Sequence, residues 1–439
     1  MKKKQLGFLV WVIYLLIILL PLLAMMIFPM PKGRDFWRDF SVGLGFVGLT
    51  MAGMQFIPTA RLRFLSNTFD MDHIYKVHHY LSVVSVLMVA LHPIILLVNN
   101  PYVINFFNPF TAPWRAQAGW IGLGSLLLIA ITSVLRNEIK LGYNAWHGIH
   151  DLLAAAIAVF ALIHIFKVNY YSSTDPVKWV LIFEAVIWGG MTLYTRLVKP
   201  MQMLKSPFTV KKIIEETPDT WTMVLEPKGH AGLDFNASQV AWINVEQSPF
   251  TLHRNPFSIS GSAHKKDELR FSIKNLGDFT AKIGKLKGGE TVYVDGPYGS
   301  FSLDQPNMQH GFVFLAGGIG SAPIMSMLHT MADSGDQRPV FFFYGCYDEE
   351  NIIFKKDLDQ LEKKLNLKIF YVLEKPKSTG KYLQGYITYD LLNKELPENR
   401  KELFYYICGP LPMIDAMESH LRRLEIPDYK VNKEKYEMA

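Results

Sequence analysis

Two apolar stretches of the sequence each contain a pair of histidines at the same spacing. His78 and His92 lie in "KVHHYLSVVSVLMVALHP", and His150 and His164 lie in "WHGIHDLLAAAIAVFALIHIF". In both pairs the two histidines are 14 positions apart. Because a helix turns by about 100° and rises by about 1.5 Å per residue, the members of each pair share one face and lie about 21 Å apart. The spacing therefore predicts two matched pairs of imidazoles on two helices.

Imidazole side chains in apolar segments need a metal to bind or a hydrogen-bonding partner. Ionisable side chains at membrane depth are costly and usually functional, and neutral imidazole is a good axial ligand for iron. We predict two six-coordinate b-type haems stacked across the bilayer, one held by His78 and His150 and the other by His92 and His164. The alternatives are hydrogen bonding between helices without iron, a zinc site and a proton pathway.

Three further histidines in these segments do not fit the pattern. His79 and His147 are turned away from the shared faces, and His73 precedes the apolar run. We predict that all three are polar residues at the cytoplasmic rim.

The helices that would position the histidines belong to a membrane domain, predicted over residues 1–200. Six apolar runs are each long enough to cross a hydrocarbon core of about 30 Å. They are residues 6–28, 40–57, 77–98, 119–135, 152–166 with flanks, and 179–197. The first run is longer than the core of a signal peptide, and no Ala-x-Ala-like cleavage site follows it, so we expect an uncleaved helix.

Positive residues near the ends of these runs predict the orientation. The side that carries Lys2–Lys4, Arg61 and Arg136 is richer in Lys and Arg than the other side, which places both termini in the cytoplasm of a multi-pass plasma-membrane protein. The two cysteines, Cys346 and Cys408, then lie in a reducing compartment and need no disulfide. A net charge of +6 suits such a protein and gives no indication of nucleic-acid binding.

Residues 207–307 have alternating strand patterns that predict an antiparallel β-barrel. This region contains "HRNPFSIS" and "IKNLGDFT". Gly277 would let backbone amides approach a phosphate, and Thr280 would begin a helix whose N-terminus favours an anion. Arg254 would pair with a pyrophosphate, and Ser258 would hydrogen-bond a flavin ring nitrogen. The alternative for each motif taken alone is an ordinary hairpin or turn with a structural role.

Residues 308–439 alternate strands with helices, which predicts a parallel α/β sheet. In "FVFLAGGIGSAPIMSML" an apolar strand leads into Gly317, Gly318 and Gly320 before a helix. This layout is typical of a dinucleotide site. A second strand ends in Cys408 and Gly409 before another helix.

In this order, "NPFSIS", "IKNLGDFT", "DGPYGSF", "GGIGSAP" and "CGP" resemble the ferredoxin-NADP reductase superfamily. Joined to a six-helix bundle with paired histidines, the chain resembles the ferric reductase and NADPH oxidase family, particularly its bacterial members. The resemblance implies FAD bound around residues 255–258 and 274–280. It implies a nicotinamide cofactor bound at residues 317–323 and 408–410.

The site residues implied by the resemblance follow these motifs. Ser258 and Cys408 would be catalytic. The cofactor-binding residues would be Arg254, Asn255, Pro256, Phe257, Ser258, Ile273, Lys274, Gly277, Asp278, Thr280, Gly317, Gly318, Ile319, Gly320, Cys408, Gly409, Pro410 and Tyr436.

The chain departs from the family pattern at three places. Asn255 stands where relatives usually have His or Arg, and Arg254 is one place early. Tyr436 is followed by three more residues, whereas relatives often end near the aromatic that stacks on the flavin. Glu374 favours NADH, whereas Lys375 and its neighbours favour NADPH, which leaves the nucleotide preference open.

These features predict an NAD(P)H-dependent enzyme that passes electrons through FAD and two haems to an acceptor outside. The acceptor we expect is O2, giving superoxide, with a ferric chelate as the alternative. A haem-binding membrane sensor or scaffold is an alternative of another class. No EF-hand loop appears in the sequence, so we expect no calcium gating, and no obligatory protein partner is evident.

Overall fold

The computed structural model of the chain describes residues 3–108, 110–245, 248–251, 254–303, 308–378 and 380–435. These residues form two compact units. The first is helical and ends at Val198, leaving out Asp70–Asp72; the second contains Asp70–Asp72 and continues from Lys199. The predicted boundaries between three domains stay predictions.

Within the described ranges, six helical segments are long and apolar enough to cross a membrane, and all but the last end inside the first unit. They are Gln5–Ile27, Phe36–Thr59, Met71–Asn99, Trp114–Val134, Tyr143–Val168 and Asp175–Lys205. The prediction of a multi-pass membrane protein with six apolar helices is confirmed.

Individual helices of the first unit are named in chain order. They are α1 (Lys3–Ile27), α2 (Phe36–Met54), α3 (Phe56–Thr59), α4 (Arg63–Thr68), α5 (Met71–Asn99), α6 (Trp114–Val134), α7 (Tyr143–Val168) and α8 (Asp175–Leu193). A 3-10 helix spans Pro101–Phe107, and a π-helical turn spans Tyr194–Val198.

Local sequence explains where several helices begin and end. Helix α2 begins after Asp35, whose carboxylate accepts a hydrogen bond from the Arg38 backbone N–H at 3.1 Å. This contact satisfies one of the unpaired donors of the first turn. Helix α7 ends at Asn169, which adopts a left-handed conformation with φ 46°, as asparagine tolerates better than most residues.

The second unit begins with α9 (Lys199–Lys205) and a six-stranded antiparallel sheet in the order β4-β3-β6-β1-β2-β5. Its strands are β1 (Phe208–Thr217), β2 (Thr220–Pro227), β3 (Val240–Asn244), β4 (Asn255–Ser258), β5 (Leu269–Lys274) and β6 (Thr291–Tyr298). A short helix, α10 (Thr280–Ile283), follows β5. Among the described residues, the edge strands β4 and β5 approach each other at the bridge between Ile259 and Phe271. The predicted barrel is therefore a barrel-like sheet that is not fully closed.

A second, parallel sheet follows in the order β10-β9-β8-β7-β11-β12. Its strands are β7 (Phe312–Gly317), β8 (Val340–Cys346), β9 (Leu367–Leu373), β10 (Leu383–Gln384), β11 (Phe404–Gly409) and β12 (Val431–Lys435). Its helices are α11 (Ser321–Ser334), α12 (Lys355–Leu361), α13 (Tyr389–Glu395) and α14 (Leu411–Arg423). The predicted parallel α/β fold is confirmed.

Both faces of the parallel sheet are buried. In β7, Phe312 and Phe314 pack into one apolar cluster, whereas Val313 and Leu315 pack into another. Burial on both faces explains why the strand reads as a continuous apolar run instead of alternating.

Helix α11 joins the two sheets through hydroxyl groups. The Ser238 N–H donates to Ser326 Oγ at 2.9 Å, and Ser326 Oγ donates to the Gly261 carbonyl at 2.7 Å. The Ala263 N–H donates to Thr330 Oγ1 at 3.0 Å. These bonds tie the antiparallel sheet to the nucleotide-binding half within one compact unit.

Candidate functional site: histidine pairs and nucleotide loops

The four histidines of equal spacing meet as two pairs between α5 and α7. The ring centres of His78 and His150 are 6.3 Å apart, and those of His92 and His164 are 6.5 Å apart. Each pair thus joins one residue of α5 to one residue of α7 at the same level of the bundle.

The separation of the rings suits a metal ion bound between them. Bonds of about 2 Å from a metal to imidazole nitrogen place the centres of two rings on opposite sides of that metal roughly 6 Å apart. The observed 6.3 and 6.5 Å agree with this value. Among the residues that the structure describes, no three His, Cys, Asp or Glu side chains gather as metal ligands. Each pair supplies two imidazoles, the number of histidine ligands that a haem iron can take.

Hydrogen bonds at Nδ1 orient His92 and His164, which we call the outer pair. His164 Nδ1 lies 2.7 Å from the Arg115 carbonyl. His92 Nδ1 lies 3.0 Å from the Ser41 carbonyl and 2.9 Å from Ser41 Oγ. Because a carbonyl only accepts, Nδ1 carries the proton in both rings. The nitrogen left for a metal is Nε2, the arrangement seen when a second shell fixes the tautomer of a metal ligand.

Glycines make room for the same two rings. A Cβ atom on Gly119 would lie 2.8 Å from His164 Nδ1, and one on Gly45 would lie 3.3 Å from His92 Cγ. Any larger residue at Gly119 would displace the imidazole. Sequence reasoning missed Ser41, Gly45 and Gly119 because their roles depend on which helices pack together.

Fewer polar groups surround His78 and His150, which we call the inner pair. His150 Nδ1 lies 3.4 Å from Ser133 Oγ, which also accepts a hydrogen bond from Trp146 Nε1 at 3.3 Å. His78 Nδ1 is buried and has no hydrogen-bond partner within the described residues. An unsatisfied buried nitrogen is costly, and a bound group that accepts or coordinates would remove that cost.

The other histidines lie outside these pairs. His79 is exposed and packs edge-on against Tyr80. His147 lies 3.7 Å from the Asp151 carboxylate. His73 stacks on Phe69 with ring centres 5.6 Å apart.

The two motifs predicted to bind flavin lie on adjoining parts of the antiparallel sheet. Phe257 of β4 stacks on Phe279, just before α10, with ring centres 5.9 Å apart and an angle of 18°. Ser258 is almost fully buried and pairs with Val240 of β3. The fold thus brings the segment 255–258 close to the loop that follows β5.

The structure gives partners to three residues that we predicted to contact FAD. The buried Arg254 donates from Nη2 to the Pro249 carbonyl at 2.6 Å. Lys274 forms an ion pair with Asp219 at 3.3 Å. Thr280 Oγ1 accepts the N–H of Gly277 at 2.9 Å and donates to its carbonyl. This last contact fixes the turn that also contains Asp278.

The glycine loop of the nucleotide half connects β7 to α11. Gly318 has φ 52°, a left-handed conformation that favours glycine. A Cβ atom on Gly320 would lie 2.1 Å from the Cys408 carbonyl oxygen. The loop of Gly317, Gly318, Ile319 and Gly320 therefore lies directly beside the turn of Cys408, Gly409 and Pro410, at the carboxyl ends of β7 and β11. Open α/β sheets bind ligands outside this edge.

A fully buried tyrosine holds the glycine loop. Tyr344 Oη donates to the Gly318 carbonyl at 3.2 Å and lies 3.1 Å from Ser321 Oγ. The same oxygen accepts the Ile353 N–H at 3.2 Å. Burial raises the pKa of the neighbouring Cys346 thiol to about 12, so this cysteine stays a neutral thiol at physiological pH.

Cys408 is fully buried in β11 and lies opposite Glu434 of β12 in the parallel register. Burial raises the pKa of the Glu434 carboxyl to about 8, and its Oε2 has no hydrogen-bond partner in the described part of the chain. Sequence reasoning missed Glu434 because the pairing of β12 with β11 has no local signal. Tyr436, predicted to stack on the flavin, lies outside the described residues.

The loop of Glu374 to Ser378, whose charges bear on the choice between NADH and NADPH, forms hydrogen bonds and ion pairs with acidic residues. The Glu349 carboxylate accepts the N–H groups of Lys377 and Ser378 at 2.8 and 2.7 Å, which lowers its pKa to about 2. Lys377 Nζ lies 2.6 Å from Glu350. Lys375 Nζ donates to Tyr347 Oη at 3.0 Å. The positive charge of Lys377 is thus partly neutralised.

Two family models match the chain. The ferric reductase like transmembrane component matches residues 44–193, which include all four paired histidines. The oxidoreductase NAD-binding domain matches residues 314–419, which begin in β7 and include the glycine loop. Each match falls on the half of the chain that has the corresponding fold.

Curated relatives match the reductase half at low identity. NADH-cytochrome b5 reductase 1 of Candida glabrata is 31% identical over 238 residues, covering 52% of this chain and 83% of that protein. The reductase component of propane 2-monooxygenase from Mycolicibacterium goodii is 28% identical over 225 residues, covering 49% of this chain and 63% of that protein. This chain thus spans less than two thirds of the length of that relative.

Among solved structures, a flavohemoglobin from Malassezia yamatoensis, with bound FAD and heme, has a TM-score of 0.50. It is 17% identical, and the match covers 91% of this chain and 96% of that one. At this identity the likeness concerns the fold alone. The two family models confirm the resemblance found in the sequence: one polypeptide combines a ferric reductase-like transmembrane component with an NAD-binding domain of oxidoreductases.

Proposed function

We propose that the protein transfers electrons from cytosolic NAD(P)H, through FAD and two b-type haems, to an acceptor on the opposite side of the membrane. The acceptor that we favour is O2, reduced to superoxide. One observation carries this proposal: facing imidazoles occur at two levels of the same two helices, with ring centres 6.3 and 6.5 Å apart.

The histidine pairs would hold the haems as axial ligands. His78 and His150 would bind one iron, and His92 and His164 the other. Haem iron carries one electron at a time. The carbonyls of Ser41 and Arg115 keep the proton of each outer ring on Nδ1, so Nε2 is available to the iron.

The antiparallel sheet would hold FAD along β4 and the loop after β5. When bound there, FAD would supply the conversion from a two-electron hydride to the single electrons that haem takes. Ser258 would hydrogen-bond the flavin ring. The segment from Asn255 to Phe257, together with Ile273, Lys274 and the turn at Gly277, would bind the rest of the cofactor.

The loops at the carboxyl ends of β7 and β11 would bind NAD(P)H. The close approach of Gly320 to Cys408 brings the two loops together, and the N-terminus of α11 after the glycine loop would favour a pyrophosphate. Cys408 would adjoin the nicotinamide and help to position it for hydride transfer. The bonds of Tyr344 to this loop would keep it rigid.

With both imidazoles of a pair bound to its iron, each haem would supply electrons to an acceptor that does not bind the metal. O2 is small and diffusible and could accept electrons in this way. A ferric chelate is the second candidate, and the match to the ferric reductase like transmembrane component supports it. We also propose that both termini are cytoplasmic, because positive residues predominate on one side of the helices. The resemblance to bacterial members of the family supports residence in a bacterial plasma membrane.

The test uses the full chain, purified in detergent after expression with ample haem. NADH or NADPH is added, and cytochrome c reduction is followed with and without superoxide dismutase, beside a ferric-chelate assay. We expect reduction of cytochrome c that dismutase abolishes. If dismutase leaves the rate unchanged while ferric chelates are reduced, O2 is the wrong acceptor. If NAD(P)H bleaches the flavin but never reduces the haem, the proposed route of electrons is wrong.

A further inference from the structure

A carboxyl group lies inside the membrane bundle, in a position that the proposed function does not use. Glu184 of α8 has no exposed surface. Thr50 of α2 donates a hydrogen bond from Oγ1 to Glu184 Oε2 at 3.1 Å. The other carboxyl oxygen, Oε1, is buried and has no hydrogen-bond partner in the described ranges.

A second unsatisfied polar atom lies one helical turn away. Trp188 is only 2% exposed, and its Nε1 is also buried without a partner among the described side chains and backbone. Residues four apart lie on the same face of a helix. The indole is held tightly, because a Cβ atom on Gly53 would lie 2.1 Å from Trp188 Cε2. A carboxyl oxygen and an N–H donor are therefore fixed on one face of α8.

Contacts between α2 and α5 give the depth of Glu184. Ser85 is midway between His78 and His92 in sequence, and its Oγ donates to the Gly48 carbonyl at 2.8 Å. Gly48 is therefore level with the middle of the two histidine pairs. Thr50 is two residues further along α2, a rise of about 3 Å. The partner of Glu184 thus lies close to the level midway between the two proposed haems.

Little in the surroundings compensates a charge on Glu184. The structure gives it no ion pair within the described residues, and Thr50 is its hydrogen-bond donor. On the elements packed around α8, Tyr14 of α1 accepts a hydrogen bond from Gln55 of α2 at 3.0 Å. At the outer ends, Asp39 of α2 accepts from Tyr171, and Lys178 of α8 pairs with Asp175 at 3.8 Å. An isolated carboxylate is costly in such an interior.

We propose that Glu184 is a proton-binding site coupled to electron transfer through the bundle. In the oxidised protein the positive charge of a ferric haem would stabilise the Glu184 carboxylate. When one electron cancels that charge, the carboxylate would take up one proton from the surrounding water, so that electron and proton enter together. The proton would leave when the electron passes to the acceptor. This inference rests on the two-haem arrangement proposed above.

The test compares the wild-type chain with Glu184→Gln, which keeps an acceptor for Thr50 but cannot titrate. Redox-difference infrared spectra are recorded on the haem-loaded protein. We expect a carbonyl band of protonated carboxyl that grows on haem reduction in the wild type and is missing in E184Q. At a fixed ambient potential, the ratio of reduced to oxidised haem should fall with rising pH by up to about tenfold per unit in the wild type, and by clearly less in E184Q.

A second variant keeps the proposal testable if Glu184→Gln does not fold. Thr50→Val keeps the carboxyl but removes its donor, so it should shift the frequency of the same band. A wild-type spectrum without a carboxyl change on reduction, or an equal pH dependence in wild type and E184Q, would contradict the proposal. The Soret spectrum is recorded first, because a wild-type protein without haem refutes the proposed function itself, whereas haem with no carboxyl signal refutes only the role of Glu184.

Discussion

His92 and His164 face each other with ring centres 6.5 Å apart, and each imidazole rests against a glycine of a neighbouring helix. The rings are held at Nδ1 by backbone carbonyls of Ser41 and Arg115. Backbone groups of packed helices move little, so both Nε2 atoms are presented in a fixed direction. Preorganisation of this kind lets a bundle bind a rigid, planar cofactor between two helices.

Gly119→Ala should weaken binding of the outer haem. The added Cβ would lie 2.8 Å from His164 Nδ1, so the imidazole would have to turn away from its partner. We expect the haem content per chain to fall towards half, as measured by the pyridine haemochrome assay. Gly124→Ala on the same helix is the matched control, because nothing lies within 4 Å of its added Cβ. Equal haem content in the two variants would contradict the tight packing at Gly119.

Gly320→Ala should impair use of NAD(P)H. Its Cβ would lie 2.1 Å from the backbone oxygen of Cys408, and such overpacking typically costs about 1–3 kcal/mol. This energy destabilises the loop conformation that binds the nucleotide, so kcat/KM for NAD(P)H should drop by at least about tenfold. Gly345→Ala is the control, because its contacts are no closer than 3.6 Å. If G320A has the same kcat/KM as G345A, the close packing of the glycine loop on the Cys408 turn is not needed for nucleotide use.

The stability of the reductase unit should depend on the proton of Glu434. Burial raises the pKa of this carboxyl from 4.5 to about 8. The folded state therefore binds the proton more tightly than the unfolded state, and the free energy of unfolding should fall as the pH rises from about 4.5 towards 8. Glu434→Gln, which cannot release a proton, should lose less stability over this range.

Thermal release of flavin fluorescence, followed across that pH range, measures the effect. Glu418→Gln is a control, because Glu418 is a carboxyl near the same strand that forms an ion pair with Lys433. If wild type and E434Q lose stability in parallel with pH, Glu434 does not hold its proton in the folded state.

The sequence indicates the large features of this protein well because they rest on periodic patterns. Long apolar runs identify the membrane helices, and the spacing of His78 and His92 repeats in His150 and His164. Strand and glycine patterns indicate the two sheets. These signals are local, so no knowledge of packing is needed.

Features that depend on packing are not visible in the sequence. Gly119 looks like any helical glycine until α6 is placed against His164. Glu434 becomes notable only when β12 pairs with β11 beside Cys408. The antiparallel sheet was expected as a barrel, but closure depends on how β4 approaches β5, which within the described part of the chain is through the bridge between Ile259 and Phe271.

The central claim is that four imidazoles in level pairs bind two haems. The most direct test is the haem content and Soret spectrum of the purified full chain and of His92→Leu, with His79→Leu as the control. We predict two low-spin haems per chain in the wild type and in H79L, and one in H92L. A wild-type protein without Soret absorption, or an H92L protein that keeps both haems, would contradict the account.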